Sequence, residues 1–300
     1  MSLEVLRPGP LCTVQDLGRP GLAHLGVPRS GAADRPSLRQ ANRLVGNPEE
    51  AAGLELTLGG LVLRAGAPVV VALAGAPCPA YRDGTPAPFA AALSLAAGAE
   101  LRVGTPRWGL RTYLAVRGGV AVPAVLGSRA TDLLSGLGPQ PLARGTVLPV
   151  GPAPGGTAPA APLEDPGVRD PAGRPRVLRL LPGPRADWFT PQAWELLTAA
   201  PYAVSPHSNR VGLRLSGAPL PRRVLGELAP EPLVEGALQV PPDGQPVLFL
   251  ADHPVTGGYP VLAVVAAADL PLAAQARPGD RLAFRATAAP GQAGRPPSQG

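Results

Sequence analysis

Val69-Val-Val-Ala-Leu-Ala74 is a short apolar run entered through Pro68 and closed by Gly75. A run of this length between turn formers reads as a buried strand, because a helix that buries one face needs a longer stretch with apolar residues every third or fourth position. The same pattern recurs at Leu61-Val-Leu63, Tyr113-Leu-Ala-Val116, Val177-Leu-Arg-Leu-Leu181, Val247-Leu-Phe-Leu250, Val261-Leu-Ala-Val-Val265 and Leu282-Ala-Phe284. With 42 Pro and 38 Gly in 300 residues, helix interiors are penalised along the whole chain. The expected fold is therefore mainly β, barrels or sandwiches of many short strands with a few short helices.

Two helices stand out. Asp34 can cap one in which Pro36 occupies the first turn, Leu38, Ala41, Leu44 and Val45 share a face, and Gly46-Asn47-Pro48 ends the element. Thr190-Pro191 starts a second, with Ala193, Trp194 and Leu197 facing inward, and a short helical turn begins at Asp269. The Pro/Gly/Ala stretch from Gly151 to Pro162 has no periodicity and reads as a linker. It divides the chain into an N-terminal β domain (1–150), a linker (151–175), a C-terminal β domain (176–287) and a disordered tail (288–300). A turn-then-strand pattern at Ala97–Val103, Leu142–Leu148 and Ala276–Leu282 is compatible with a duplicated β unit.

Composition excludes several functions. All 27 basic residues are Arg, and there is no Lys. Without a lysine the chain cannot form a Schiff base to pyridoxal phosphate, carry biotin, or reach a nucleotide phosphate with a Walker-type amine. The net charge of +6 comes from scattered arginines, with four Phe and four Tyr for stacking, so a nucleic-acid track is not expected. The opening Met1-Ser-Leu-Glu-Val-Leu-Arg-Pro8 has no apolar leader, and no apolar run approaches membrane-spanning length. A cytoplasmic protein without membrane contact is expected, with Cys12 and Cys78 as free thiols packed as small hydrophobes.

Polar chemistry is concentrated in short Gly/Pro-rich blocks that contain all three histidines, His24, His207 and His253. The first block supplies Gln15, Asp16, Arg19, His24, Ser30 and Asp34. Arg19 can hold a carboxylate or amide while His24 or Asp16 moves a proton, and Asp34 is needed as a helix cap. Beyond Gly118-Gly119, Arg129 can hold an anion or pair with Asp132, and the pairing is the cheaper use. The block Ser205, His207, Ser208, Asn209, Arg210 offers an amide donor for an oxyanion in Asn209 and a bidentate carboxylate contact in Arg210. Farther on, Gln239, Asp252, His253, Thr256 and Tyr259 add polar groups, and Gly257-Gly258 allows close backbone approach or a tight turn. The histidines lack the spacing of a zinc helix, so no metal is expected, and no Gly-x-Ser-x-Gly elbow marks a serine hydrolase.

Taken in order, the blocks Thr13-Val-Gln-Asp-Leu-Gly-Arg-Pro-Gly21, His24-Leu-Gly-Val-Pro28 with Ser30-Gly-Ala32, Ala41-Asn42 with Leu44-Val-Gly-Asn47, Leu54-Glu-Leu-Thr-Leu58, Tyr113-Leu-Ala-Val-Arg-Gly-Gly119, Val125-Leu-Gly-Ser-Arg129, Ser208-Asn-Arg-Val-Gly212, Gln239-Val-Pro-Pro-Asp-Gly244 and Thr256-Gly-Gly-Tyr-Pro260 carry a resemblance over about residues 1–287. They resemble the biotin-dependent carboxyltransferase family, also called allophanate hydrolase subunit 2 or KipA-like. Its members include the C subunit of bacterial 5-oxoprolinase and the carboxyltransferase region of urea carboxylase.

The resemblance implies two cyclophilin-like β-barrel halves. It further implies the C subunit of a 5-oxoprolinase, working with a KipI-like B subunit, plus an A subunit, to open 5-oxo-L-proline to L-glutamate. ATP would be used by the complex, with no cofactor bound covalently here. The substrate would lie in a cleft between the halves, its carboxylate on Arg19 or Arg210. Asn209 and the Gly257 and Gly258 amides would face the carbonyl, with His24 or His253 as proton carrier. Ser30, Gln239, Thr256 and Tyr259 complete the candidate substrate-binding set. The alternatives are carboxyl transfer from a biotin carrier on another chain to urea or a related amide, and a non-catalytic regulator that binds a KipI-like kinase inhibitor.

Overall fold

The computed structural model of the chain describes residues 1–156 and 173–287, in two compact units, Met1–Asp170 and Pro171–Gly300. Most of the stretch read as a linker (151–175) and all of that read as a tail (288–300) lie outside the described residues.

The first unit is built from β1 (Ser2–Arg7), β2 (Leu11–Gln15), β3 (Gly53–Thr57), β4 (Val62–Ala65), β5 (Val69–Gly75), β6 (Ala80–Arg82), β7 (Thr85–Ala87), β8 (Leu93–Leu95), β9 (Glu100–Val103), β10 (Arg111–Val116) and β11 (Val147–Pro149). They form two antiparallel sheets, ordered β11-β1-β4-β9-β6-β7 and β2-β3-β10-β5-β8. Every residue of β10 is buried. Leu114 and Val116 join the main core with Leu54, Leu56 and Leu73, while Tyr113 and Ala115 pack beneath the helix α1 (Arg35–Leu44) with Leu38, Ala41 and Leu44. Both faces of this strand are covered, so its second half, Tyr113-Leu-Ala-Val116, runs apolar without alternation.

Asp34 caps α1 as expected, accepting hydrogen bonds from the Ser37 backbone N–H (3.1 Å) and hydroxyl (2.7 Å). The two asparagines that close the helix segment lock it to the sheet. Asn47 Nδ2 donates to Asn42 Oδ1 and to the Val116 carbonyl, and Asn47 Oδ1 accepts from the Gly118 N–H.

In the second unit, β12 (Arg176–Pro182), β13 (Tyr202–Val204), β14 (Gly212–Ser216), β15 (Glu231–Pro232), β16 (Ala237–Gln239), β17 (Val247–Phe249), β18 (Thr256–Gly257), β19 (Val261–Val265) and β20 (Arg281–Ala286) are joined by α2 (Pro191–Ala199) and α3 (Leu270–Ala274). Seven strands close a barrel in the order β12-β19-β16-β17-β14-β13-β20. The parallel β12–β20 pair makes the seam. Leu178, Leu180, Leu213, Leu215, Leu248, Leu282 and Phe284 fill the core. Alternate residues of β12 point outward, which is the period-two signature of a strand with one wet face.

The fold is mainly β with few short helices, as the sequence leads one to expect. One boundary differs. The polar block that opens at Thr13 is strand as far as Gln15, because β2 pairs with β3 along its whole length and its polar side chains are buried.

Candidate functional site

Each unit carries its own buried polar set. In the first, the chain leaves β2 at Gln15 and turns at Gly18, whose φ of +81° lets the backbone pass within van der Waals reach of Arg29 and Ser30. Asp16 holds this turn to the 125–131 loop. Its Oδ1 accepts from the Gly18 N–H (2.8 Å) and the Ser128 hydroxyl (2.6 Å), and its Oδ2 from the Arg129 N–H (2.6 Å). Arg19, only 2% exposed, donates to the Val125 and Ala130 carbonyls at 3.3 and 2.6 Å. Its Nη1 is buried and has no partner among the described residues.

Ser30 is fully buried at φ +53° and its hydroxyl donates to the Thr131 carbonyl. Gln15 Nε2 donates to that same carbonyl and to the Thr13 hydroxyl. The structure therefore brings Gln15, Asp16, Arg19 and Ser30 onto one segment, 125–131. His24 stands apart from them in a 3-10 turn (Ala23–Leu25), exposed, with Nδ1 3.1 Å from the Gly21 carbonyl. Because a carbonyl only accepts, Nδ1 carries the proton in that contact.

Arg129 does not pair with Asp132. Its Nε donates to the Val122 carbonyl, and Asp132 instead accepts from the Leu134 and Ser135 N–H groups and the Ser135 hydroxyl. A carboxylate capping its own turn needs no distant cation, and local donors two and three residues on reach it first.

Sequence reading gave no role to a second network in this unit. Glu55 on β3 lies 3.3 Å from Arg111 Nε, accepts from the Tyr113 hydroxyl (2.7 Å) and accepts from the Ala33 N–H (3.0 Å). The Tyr113 oxygen in turn accepts from the Asp34 N–H. Burial, and then the Glu55 charge, push the Tyr113 phenol well above its ordinary pKa. Burial also raises the Cys12 thiol, with Glu55 adding to it, and takes Cys78 up to about 11, so both buried cysteines remain thiols. The available signal was a lone acid inside the apolar run Leu54-Glu-Leu56.

In the second unit Arg210, 1% exposed, forms a bidentate pair with the fully buried Asp252, Nε to Oδ2 at 2.9 Å and Nη2 to Oδ1 at 3.0 Å. The Asp252 N–H also donates to the Arg210 carbonyl, which ties the 205–212 and 250–255 segments together. His253 follows on, largely buried, its ring 6.5 Å from that of Phe249. Nδ1 donates to the Pro254 carbonyl at 2.8 Å, so Nε2 of the neutral ring is the acceptor.

Asn209 lies on the 205–212 segment, and its Oδ1 accepts from the Val211 and Gly212 N–H groups. This fixes the amide and turns Nδ2, which has no partner among the described residues, outward. His207 is exposed beside it.

Gln239 Nε2 donates to the Tyr259 carbonyl at 2.9 Å. Gly257 makes room for that amide: a Cβ there would lie 2.7 Å from Gln239 Nε2. Thr256 and Gly257 pair with Pro232 and Glu231 in the small β15–β18 ribbon. Gly258 and Tyr259 border a cavity of about 640 Å³ together with Arg222, which sequence reading passed over. Among the described residues no cluster of three or more His, Cys, Asp or Glu side chains could hold a metal ion, and no helix is long and apolar enough to cross a membrane.

The carboxyltransferase domain family, subdomains A and B, matches residues 25–286, and the chain belongs to it. Its sequence is 38% identical to the C subunit of 5-oxoprolinase from Escherichia coli (strain K12) over 285 residues, 94% of this chain and 90% of that protein. It is 34% identical to urea amidolyase of Lachancea kluyveri across 94% of this chain, but this is 17% of that protein. The crystal structure of TTHA0988 superposes with a TM-score of 0.84 at 39% identity, covering 95% of this chain and 55% of that one. The chain thus spans about half the length of that crystallised relative. The crystal structure of K. lactis urea amidolyase matches with a TM-score of 0.83 at 30% identity, over 94% of this chain and 18% of that one.

Proposed function

We propose that the chain is the C subunit of an ATP-dependent 5-oxoprolinase complex. With a KipI-like B subunit, plus an A subunit, it would open the lactam of 5-oxo-L-proline to L-glutamate in the cytoplasm. The likeness to the C subunit of the E. coli 5-oxoprolinase carries this reading, because it runs over 94% of this chain and 90% of that protein. In the reaction a water oxygen adds to the lactam carbonyl, the C–N bond breaks, and the departing nitrogen takes a proton. His253 suits the proton step through Nε2, held by the Nδ1 bond to Pro254. The outward Nδ2 of Asn209 suits the carbonyl oxygen. Any Walker-type lysine contact to the nucleotide falls to the partner subunits, since this chain has no lysine.

A coupled assay of glutamate release from 5-oxoproline and ATP tests the reading, with the three subunits assembled and with this one omitted. Glutamate should form only when the chain is present, and His253→Ala should abolish most of it. Full activity without the chain would refute the proposal. The urea amidolyase likeness favours a second reading, carboxyl transfer from a biotin carrier on another chain to urea or a related amide. Carboxylation of urea by the chain with a biotin-carrying partner would support that one instead.

A further inference from the structure

If the substrate is a small carboxylate, neither arginine singled out in the sequence is placed to take it. Arg210 already holds Asp252, and Arg19 is sunk against backbone carbonyls. Arg222 differs from both. It borders the cavity of about 640 Å³ enclosed by residues 219–222, 225–228, 242–244 and 258–259 of the second unit, a size in the usual range for small-molecule sites.

One guanidinium nitrogen of Arg222 donates to the Val240 carbonyl, and its Nε is buried with no partner among the described residues. The guanidinium carbon lies 6.0 Å from the Tyr259 ring centroid, at the outer edge of cation–π range, and its Nη1 makes no hydrogen bond among the described residues. No carboxylate of the described residues pairs with it, and burial lowers its pKa, the mark of a cation short of solvation. Two carboxylates also border the cavity. Asp243 spends Oδ1 on the Gln245 N–H at 3.0 Å, and Glu227 has no partner among the described residues. Prolines 219, 221 and 242 and Leu228 supply apolar wall.

A cavity that offers one cation and two acids beside an apolar wall fits a small molecule with a carboxylate and a nearby nitrogen donor. We propose that this cavity binds an α-amino acid or its cyclic amide, the carboxylate on Arg222 and the nitrogen toward Asp243. The proposal rests on the 5-oxoprolinase reading for its choice of ligands, since that reaction's substrate and product are the lactam and the amine forms of such a molecule. Size leaves room for both, and Tyr259 and the prolines take the ring or the side chain. The lactam N–H needs only an acceptor, whereas the ammonium of L-glutamate needs the negative charge.

Calorimetric titration of the full chain with 5-oxo-L-proline and with L-glutamate, in the wild type, Arg222→Gln and Asp243→Asn, tests the site. Arg222→Gln should weaken whichever ligand binds by about ten-fold or more, the usual loss of a charge-assisted contact. Asp243→Asn lies on the exposed rim, keeps an acceptor oxygen, and should weaken glutamate more than 5-oxoproline. Absence of binding by both ligands at about 10 mM would overturn the proposal, as would unchanged affinity in a folded Arg222→Gln protein. Glutamate release by the assembled complex separates the two ideas. Unchanged ligand affinity in Arg222→Gln, with glutamate still released by the complex, overturns the site and spares the 5-oxoprolinase reading. Absent turnover with Arg222-dependent binding overturns that reading and spares the site.

Discussion

Replacing Asp252 by Asn should destabilise the barrel unit severely while leaving the first unit intact. Asp252 is fully buried and Arg210 is 1% exposed, and the two share a bidentate contact at 2.9 and 3.0 Å. Removing the carboxylate charge takes the counter-charge away from a buried guanidinium. Breaking a buried pair from one side costs about 3–5 kcal/mol, far above the ~1 kcal/mol of an exposed pair. At a urea m-value of about 2 kcal/mol/M, a loss of ~4 kcal/mol moves the midpoint down by about 2 M.

The assay must see one unit at a time, because a chain of two compact units need not unfold in a single step. Trp188 and Trp194 pack on the barrel core, whereas Trp108 belongs to the first unit. In a Trp108→Phe background, tryptophan fluorescence therefore reports the barrel alone. The control is the double variant Arg210→Met with Asp252→Leu. Trading both charges for apolar groups of similar size is close to neutral when the pair itself, rather than its surroundings, sets the cost. A shift under about 0.5 M for Asp252→Asn would refute the reasoning. So would a double variant as unstable as the two single changes added together, since independent losses would mean no coupling between Arg210 and Asp252.

Two further outcomes follow from local geometry. Gly18→Ala should lower the melting temperature well beyond Gly84→Ala, although φ is near +80° at both: a Cβ at Gly18 would meet the Arg29 and Ser30 carbonyls at 2.4 and 2.6 Å, and at Gly84 it meets nothing within 4 Å. Calorimetric scans of the two variants check this, and equal losses would count against the close approach at Gly18. The second outcome concerns pH. Asp269 accepts from the Arg179 Nε, Nη2 and backbone N–H at 2.9, 2.7 and 2.7 Å, and these bonds hold its carboxyl below the ordinary range. A folded-state pKa below the unfolded one gives stability that is full above the unfolded value and is lost as pH falls through the folded value. The stability gap between wild type and Asp269→Asn should hold at neutral pH and close in acid; a gap constant from about pH 7 to about pH 2 would contradict it.

The parts legible in the sequence are those governed by neighbours along the chain. Val69–Ala74 reads as a strand because turn formers bracket it, and Asp34 reads as a cap because Pro36 follows in the first turn ahead of the apolar face that begins at Leu38. The blocks that hold the candidate residues were visible as polar islands, but their wiring was not. Arg210 and Asp252 meet across 42 positions, and Asp16 reaches Ser128 across 112. Such pairings depend on which loops the sheets bring together, and local periodicity says nothing of that. The Arg129–Asp132 expectation failed for a related reason. Proximity in sequence favours a turn in which Asp132 serves its own backbone over an ion pair.

The arginines show what this means for reading charge. Arg19, Arg111 and Arg210 are among the largest fully buried side chains of the protein, and each serves an internal contact, with backbone carbonyls, Glu55 and Asp252 respectively. A lysine in these places would be a point charge needing more solvation, whereas the flat guanidinium spreads its charge over a fork of donors that carbonyls and carboxylates can satisfy. In a chain whose 27 basic residues are all Arg, the count of arginines therefore overstates how many cations the surface presents to a ligand. Cations spent on holding loops together attract no substrate. What matters for anion binding is whether a guanidinium borders open space without a carboxylate already on it, and Arg222 meets that condition where Arg19 and Arg210 do not.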